Sequence, residues 1–138
     1  MPAPEFENIA QQFVFGKLNG QITASVYDDV PYQPTGEPST DFPYVTIGEG
    51  DSEPWDADDW VGAQVYVDIH VWARYDGMKQ MKTIMNEIYN QLNRTQEVSE
   101  TDYLIQDCLW QGSKFIKDAD QRTRHCVMEF RLTMYSQL

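Results

Sequence analysis

Ala63-Gln64-Val65-Tyr66-Val67-Asp68-Ile69-His70-Val71-Trp72-Ala73-Arg74 is the most regular stretch of the chain. Ala63, Val65, Val67, Ile69, Val71 and Ala73 alternate with Gln64, Tyr66, Asp68, His70, Trp72 and Arg74. A period of two means an extended strand whose successive side chains point to opposite faces. One face is aliphatic throughout and belongs against a core. The other mixes aromatic, charged and polar groups, as a solvated or subunit-facing surface does.

Segments on both sides can cover the aliphatic face. Phe6, Ile9, Ala10, Phe13, Val14 and Leu18 recur at helical spacing and predict a helix over 4–18, with Gly20 as its stop. After Asp76-Gly77, the run Met78, Met81, Ile84, Met85, Ile88, Tyr89 and Leu92 predicts a second helix over 77–93. Lys79, Lys82, Glu87 and Asn90 fall on its watery side. Ala24–Asp28 and Tyr44–Gly48 read as short strands. Between them Pro31, Pro34, Gly36, Pro38 and Pro43 exclude regular structure, leaving a long loop that is either an interface arm or a plain surface loop. Glu49, Asp51, Glu53, Asp56, Asp58 and Asp59 follow as a charged loop that also carries Trp55 and Trp60. Beyond a polar link over 95–101, Tyr103–Lys117 and Arg122–Tyr135 form a closing hairpin around a turn at 118–121. Cys126, Met128, Phe130, Leu132 and Met134 mark the buried face of its second strand. The order predicts one α+β domain over 1–138, an antiparallel or mixed sheet of about five strands with two helices packed on it.

Composition narrows the partners. Ten Lys and Arg against twenty-two Asp and Glu give a net charge of −12 in 138 residues, with a pI near 4.3. Tight nucleic-acid binding and polybasic membrane attachment both draw on Lys and Arg, so both are disfavoured. With 41% hydrophobic and 13% aromatic residues, the chain has the means to bury a core. No run is apolar enough to span a membrane. Met1-Pro2-Ala3-Pro4-Glu5 lacks the basic start and apolar stretch of a secretory signal. Cys108 and Cys126 are the only cysteines and are expected to be reduced, half-buried thiols.

Chemistry-bearing constellations are sparse. His70 and His125 each sit within an alternating strand, where a solvent-facing histidine is expected and no neighbouring nucleophile is apparent. Cys126 and His125 are adjacent and so point to opposite faces, which argues against a thiol site. The acidic run lacks the ligand spacing and flanking helices of a calcium loop and contains Pro54. Gly48 and Gly50 lack the residues that complete a phosphate loop. No catalytic residue, metal ligand or cofactor follows. Lys114, Lys117, Arg122, Arg124 and Arg131 gather on the final hairpin, away from the acidic run. Such separation either orients one subunit on the next or balances charge locally.

Val26-Tyr27-Asp28-Asp29-Val30-Pro31, Phe42-Pro43-Tyr44-Val45-Thr46-Ile47-Gly48-Glu49-Gly50, Glu53-Pro54-Trp55-Asp56, His70-Val71-Trp72-Ala73-Arg74-Tyr75 and Asp118 through Arg122-Thr123-Arg124-His125 occur in that order. Together they resemble the tail-completion, or tail-terminator, family of long-tailed bacteriophages and gene-transfer particles, over roughly Phe6 to Leu132. The resemblance implies a non-enzymatic virion protein, made in the host cytoplasm and placed in the tail or neck. It implies a hexameric ring at the head-proximal end of the tail tube that ends tube growth and joins the tail to the head connector. Its partners are further copies of itself, the tube protein, the connector or stopper, and genomic DNA as passing cargo. On this reading Trp55, Trp60, Lys114, Lys117, Arg122 and Arg124 are interface candidates. Asp56, Asp58 and Asp59 are lumen candidates, because acidic walls repel phosphate. A head-side stopper or adaptor, an acidic DNA-mimic inhibitor, and a small-molecule enzyme on the same scaffold are the other classes that fit such a chain.

Overall fold

The computed structural model describes residues 5–28, 38, 41–74, 77–98, 103–117 and 122–137. Its elements are α1 (Phe6–Leu18), β1 (Ser25–Tyr27), β2 (Tyr44–Pro54), β3 (Trp60–Arg74), α2 (Gly77–Leu92), β4 (Glu97–Val98), β5 (Tyr103–Lys117) and β6 (Thr123–Gln137). Six strands form a mixed sheet in the order β1-β2-β3-β6-β5-β4. All neighbours are antiparallel except β1 and β2. The α+β class and both helices match the expectation. The sheet exceeds the expected five strands because the link at 95–101 contributes a two-residue edge strand, β4.

The aliphatic face of β3 is buried as its alternation requires, with Ile69 and Val71 fully enclosed. Antiparallel register sets Ile69 opposite Met128, Val71 opposite Cys126 and Val67 opposite Phe130, so the core faces of β3 and β6 make one surface. Helix α1 lays Phe6, Ala10, Phe13, Val14 and Leu18 on it, and α2 adds Met81, Ile84, Ile88 and Leu92. Gly20, at φ +76°, takes the left-handed turn that ends α1, a conformation costly for any other residue type. Arg94, at φ +67°, closes α2 in the same way. Glu87 does not face open water as its helical position suggested. It is half-buried and accepts hydrogen bonds from Thr23 N (2.9 Å) and Thr23 Oγ1 (2.7 Å), tying α2 to the approach to β1.

Two expectations about the acidic run change. Glu49, Asp51 and Glu53 belong to β2, which continues through Pro54, and only Asp56, Asp58 and Asp59 fall in the turn to β3. Alternation is broken there by a bulge between Glu49 and Ser52, and a bulge removes the period that reveals a strand. β3 correspondingly begins at Trp60 rather than Ala63. Most of the proline loop and the turn at 118–121 lie outside the described residues; within the loop Pro38, which is buried, and 41–43 are described.

Candidate functional site

Both helices pack on one face of the sheet, and among the described residues no helix covers the other. On that face the register stacks residues in rows across strands: Tyr44, Trp72, His125 and Ile116 in one, Thr46, His70, Val127 and Lys114 in the next. The first row carries aromatic ladder contacts. Tyr44 and Trp72 stack at 6.1 Å between ring centroids, and Trp72 and His125 at 3.7 Å. Phe42 lies 5.1 Å from the Tyr44 ring and receives the Arg74 guanidinium 4.1 Å above it. Arg74 Nε in turn donates to Thr123 Oγ1 at 2.9 Å. Tyr44 is thereby buried on the face that has no helix.

The two histidines are not the separate solvent-facing residues that strand position alone suggested. Register brings them together across 55 residues of chain, with His70 Nδ1 2.8 Å from His125 Nε2 and their rings stacked at 5.1 Å. One nitrogen donates and the other accepts, so the two rings cannot both be protonated while this bond is made. Burial, and then the positive charge of His70 when protonated, holds His125 down at about 4. Burial also lowers His70, partly offset by Asp68. Gly48 makes room for the pair, since a Cβ there would lie 3.0 Å from His70 Nε2. No nucleophile or third metal donor joins them; among the described residues no cluster of three or more His, Cys, Asp or Glu can hold a metal ion.

Both cysteines are free and buried. Burial pushes the thiols up, Cys108 to about 12 and Cys126 to about 11, which leaves them inert at neutral pH. Cys126 lies on the core face and His125 on the other, as the alternation predicts. No helix among the described residues is long and apolar enough to cross a membrane.

The charges separate along the strands. β3 and β6 run antiparallel from Trp60 opposite Gln137 to Arg74 opposite Thr123, so the β2–β3 turn and the β5–β6 tip stand at opposite ends of the sheet. Fifteen-residue strands set these ends roughly 45 Å apart. Glu53, Asp56, Asp58 and Asp59 are exposed toward one end, and Lys114, Arg122 and Arg124 toward the other; exposed Asp51 sits in the bulge at mid-sheet, between the residues opposite Val65 and Val67. Lys117 closes β5 at the latter end. Arg131, counted by sequence with this group, is half-buried at mid-sheet opposite Tyr66 and Leu109.

Large apolar side chains mark both ends. Trp55 is 48% exposed at the acidic end, while Phe115 and Ile116 are 52% and 41% exposed near the basic tip. Trp60 differs from Trp55: it is half-buried, its ring edge-on to Tyr135 at 6.0 Å, so it caps the sheet end as much as it offers a contact. Asp56 also has an internal task, accepting the Gly62 N–H at 2.9 Å. Gly62 is fixed by crowding, since a Cβ there would meet Trp55 O at 2.3 Å.

Residues 16–135 match the family model described as tail completion protein gp17. A solved structure titled "Virion of native gene transfer agent (GTA) particle" contains a chain of similar fold, with a TM-score of 0.67 and 19% identity over 92% of this chain and 91% of that one. No curated protein sequence matches.

Proposed function

The chain belongs to the tail completion protein gp17 family and is a structural component of the virion tail, and from that premise we propose that it closes into a ring, of about six copies by the family resemblance, at the head-proximal end of the tail tube. There it ends tube growth and joins the tail to the head connector while DNA passes through. The observation that carries this reading is the separation of acidic and basic groups to opposite ends of one sheet. A closed cyclic assembly repeats one heterologous contact, in which a surface of each copy meets a different surface of the next. Halves of opposite sign, the acidic one carrying exposed Trp55 and the basic one exposed Phe115, supply such a pair of surfaces, and complementary charge fixes their orientation. The end that faces the tube must match it and the other must not, so that stacking stops after one layer.

Asp56, Asp58 and Asp59, clustered in one exposed turn, are the groups assigned to the channel wall, where acidic side chains keep passing phosphates from binding. Native mass measurement and negative-stain imaging of the purified protein and of isolated tails test the assembly. Rings are expected free or on tail ends, and a monomer in both settings overturns the reading. Particles lacking the protein should carry tails of irregular length that fail to join heads; normal joined tails would equally overturn it. A map that puts the three aspartates on the outer rim removes the channel assignment alone.

A further inference from the structure

Among the described residues, both edges of the sheet are only half covered by strands, and on opposite halves. β1 pairs with β2 at Tyr44, Val45 and Thr46, and among the described residues no strand pairs with that edge over 47–54. β4 pairs with β5 only at Leu104 and Ile105. The turn after α2 occupies a little more of this edge: Arg94 N donates to Cys108 O at 2.7 Å, and Trp110 N donates to Asn93 Oδ1 at 3.0 Å. From Gln111 to Lys117 no strand among the described residues lies beside it. Exposed strand edges carry unpaired N–H and C=O groups and are templates for another strand.

Resting on the ring reading, the geometry points to a specific joint: the free edge of β5 over 111–117 pairs with the free edge of β2 over 47–54 of the next copy, running the sheet from subunit to subunit. Charge decides which edges meet. The β5 stretch carries Lys114 and Lys117, while the β2 stretch carries Glu49, Asp51 and Glu53. Like edges repel, since equal charges placed opposite one another across strands destabilise the pair, and unlike edges attract. That pattern discourages a two-fold dimer made by pairing one edge with itself and favours the head-to-tail contact that a ring requires.

Strand direction agrees. β2 and β5 run oppositely within the sheet, so joining them between copies related by rotation gives an antiparallel pair. The caps agree as well. Lys114 lies level with His70, whereas the bulge at 49–52 lies level with Val65 to Val67, so matching the two free stretches shifts each copy along the strands by about 15 Å. The same shift carries β1 past the end of β5 and β4 past the end of β2, so neither cap obstructs the joint. A closed ring absorbs such a stagger by tilting its strands against the ring axis. A cleft of about 280 Å³ between α1 and β2, lined by Glu7, Asn8, Gln11, Gly48 and Gly50, leaves space at the receiving edge and adds another carboxylate beside it.

The test joins the edges covalently without altering their charge. In the double variant Ser52→Cys with Ser113→Cys, assembled rings or tails are treated with a short bifunctional thiol reagent. A ladder of covalent multimers is expected, absent from either single variant and from the wild type, whose own thiols are buried. Separately, Glu53→Lys and Lys114→Glu should each lower the yield of ring-sized species about tenfold, and the two together in one chain should restore it. Ring-sized species that give no ladder, or charge reversals whose combination restores nothing, overturn the edge pairing and leave the ring standing. Failure of the wild type to form ring-sized species overturns both.

Discussion

His125 shows how register creates a property that neither residue has alone. Its ring stacks against both Trp72 and His70, and burial and the neighbouring imidazole hold it at about 4. An unfolded histidine titrates near 6.5. Between these values the unfolded chain binds more protons than the folded one, so stability is full above about 6.5 and falls as pH drops toward 4. The loss is on the order of 1–2 kcal/mol once solvent screening of a half-exposed ring is allowed for. Urea midpoints measured from pH 7 to pH 4 should show it, and His125→Gln should flatten the curve in that window. A variant curve as steep as the wild type would assign the acid sensitivity elsewhere. The alternation over 63–74 and that of the last strand placed His70 and His125 on the correct face. Their contact was not legible, because pairing depends on which residue of β6 stands opposite Trp72, and a period of two does not carry that information.

Elements were legible in proportion to how deeply one face is buried. β3, β6 and both helices have continuous apolar stripes, and the sequence pattern located each to within a few residues. Ile88, fully buried in α2, is one of the side chains that hold this helix on the sheet. Ile88→Ala should cost about 2–5 kcal/mol, measured as a shift of the denaturation midpoint, while a change below 1 kcal/mol would show that α2 contributes little to the core. β2 was read short because its outer half is an edge with exposed side chains, a bulge and Pro54, features that also define loops. β4 left no signal at all, since two exposed residues cannot establish a period.

At the scale of the molecule, segregated charge was visible in the linear order of residues, but its meaning needed the topology. Only the antiparallel course of β3 and β6 shows that the acidic and basic groups stand at opposite ends of the sheet rather than side by side. Arg124→Glu reverses an exposed charge at the basic tip. It should weaken ring or tail assembly several-fold while circular dichroism and monomer stability stay unchanged; full assembly would discard charge as the orienting force. β6 occupies the middle of the sheet, paired along its length with β3 and β5, yet it follows every other described element in the chain. During synthesis, the aliphatic faces of β3 and β5 therefore wait for a central strand that emerges after them. A chain cut short before residue 123 lacks both of the long strand pairings that unite the sheet, so in a truncated translation product the two edge strands no longer belong to one body and cannot link one neighbour to the next in an assembling tail.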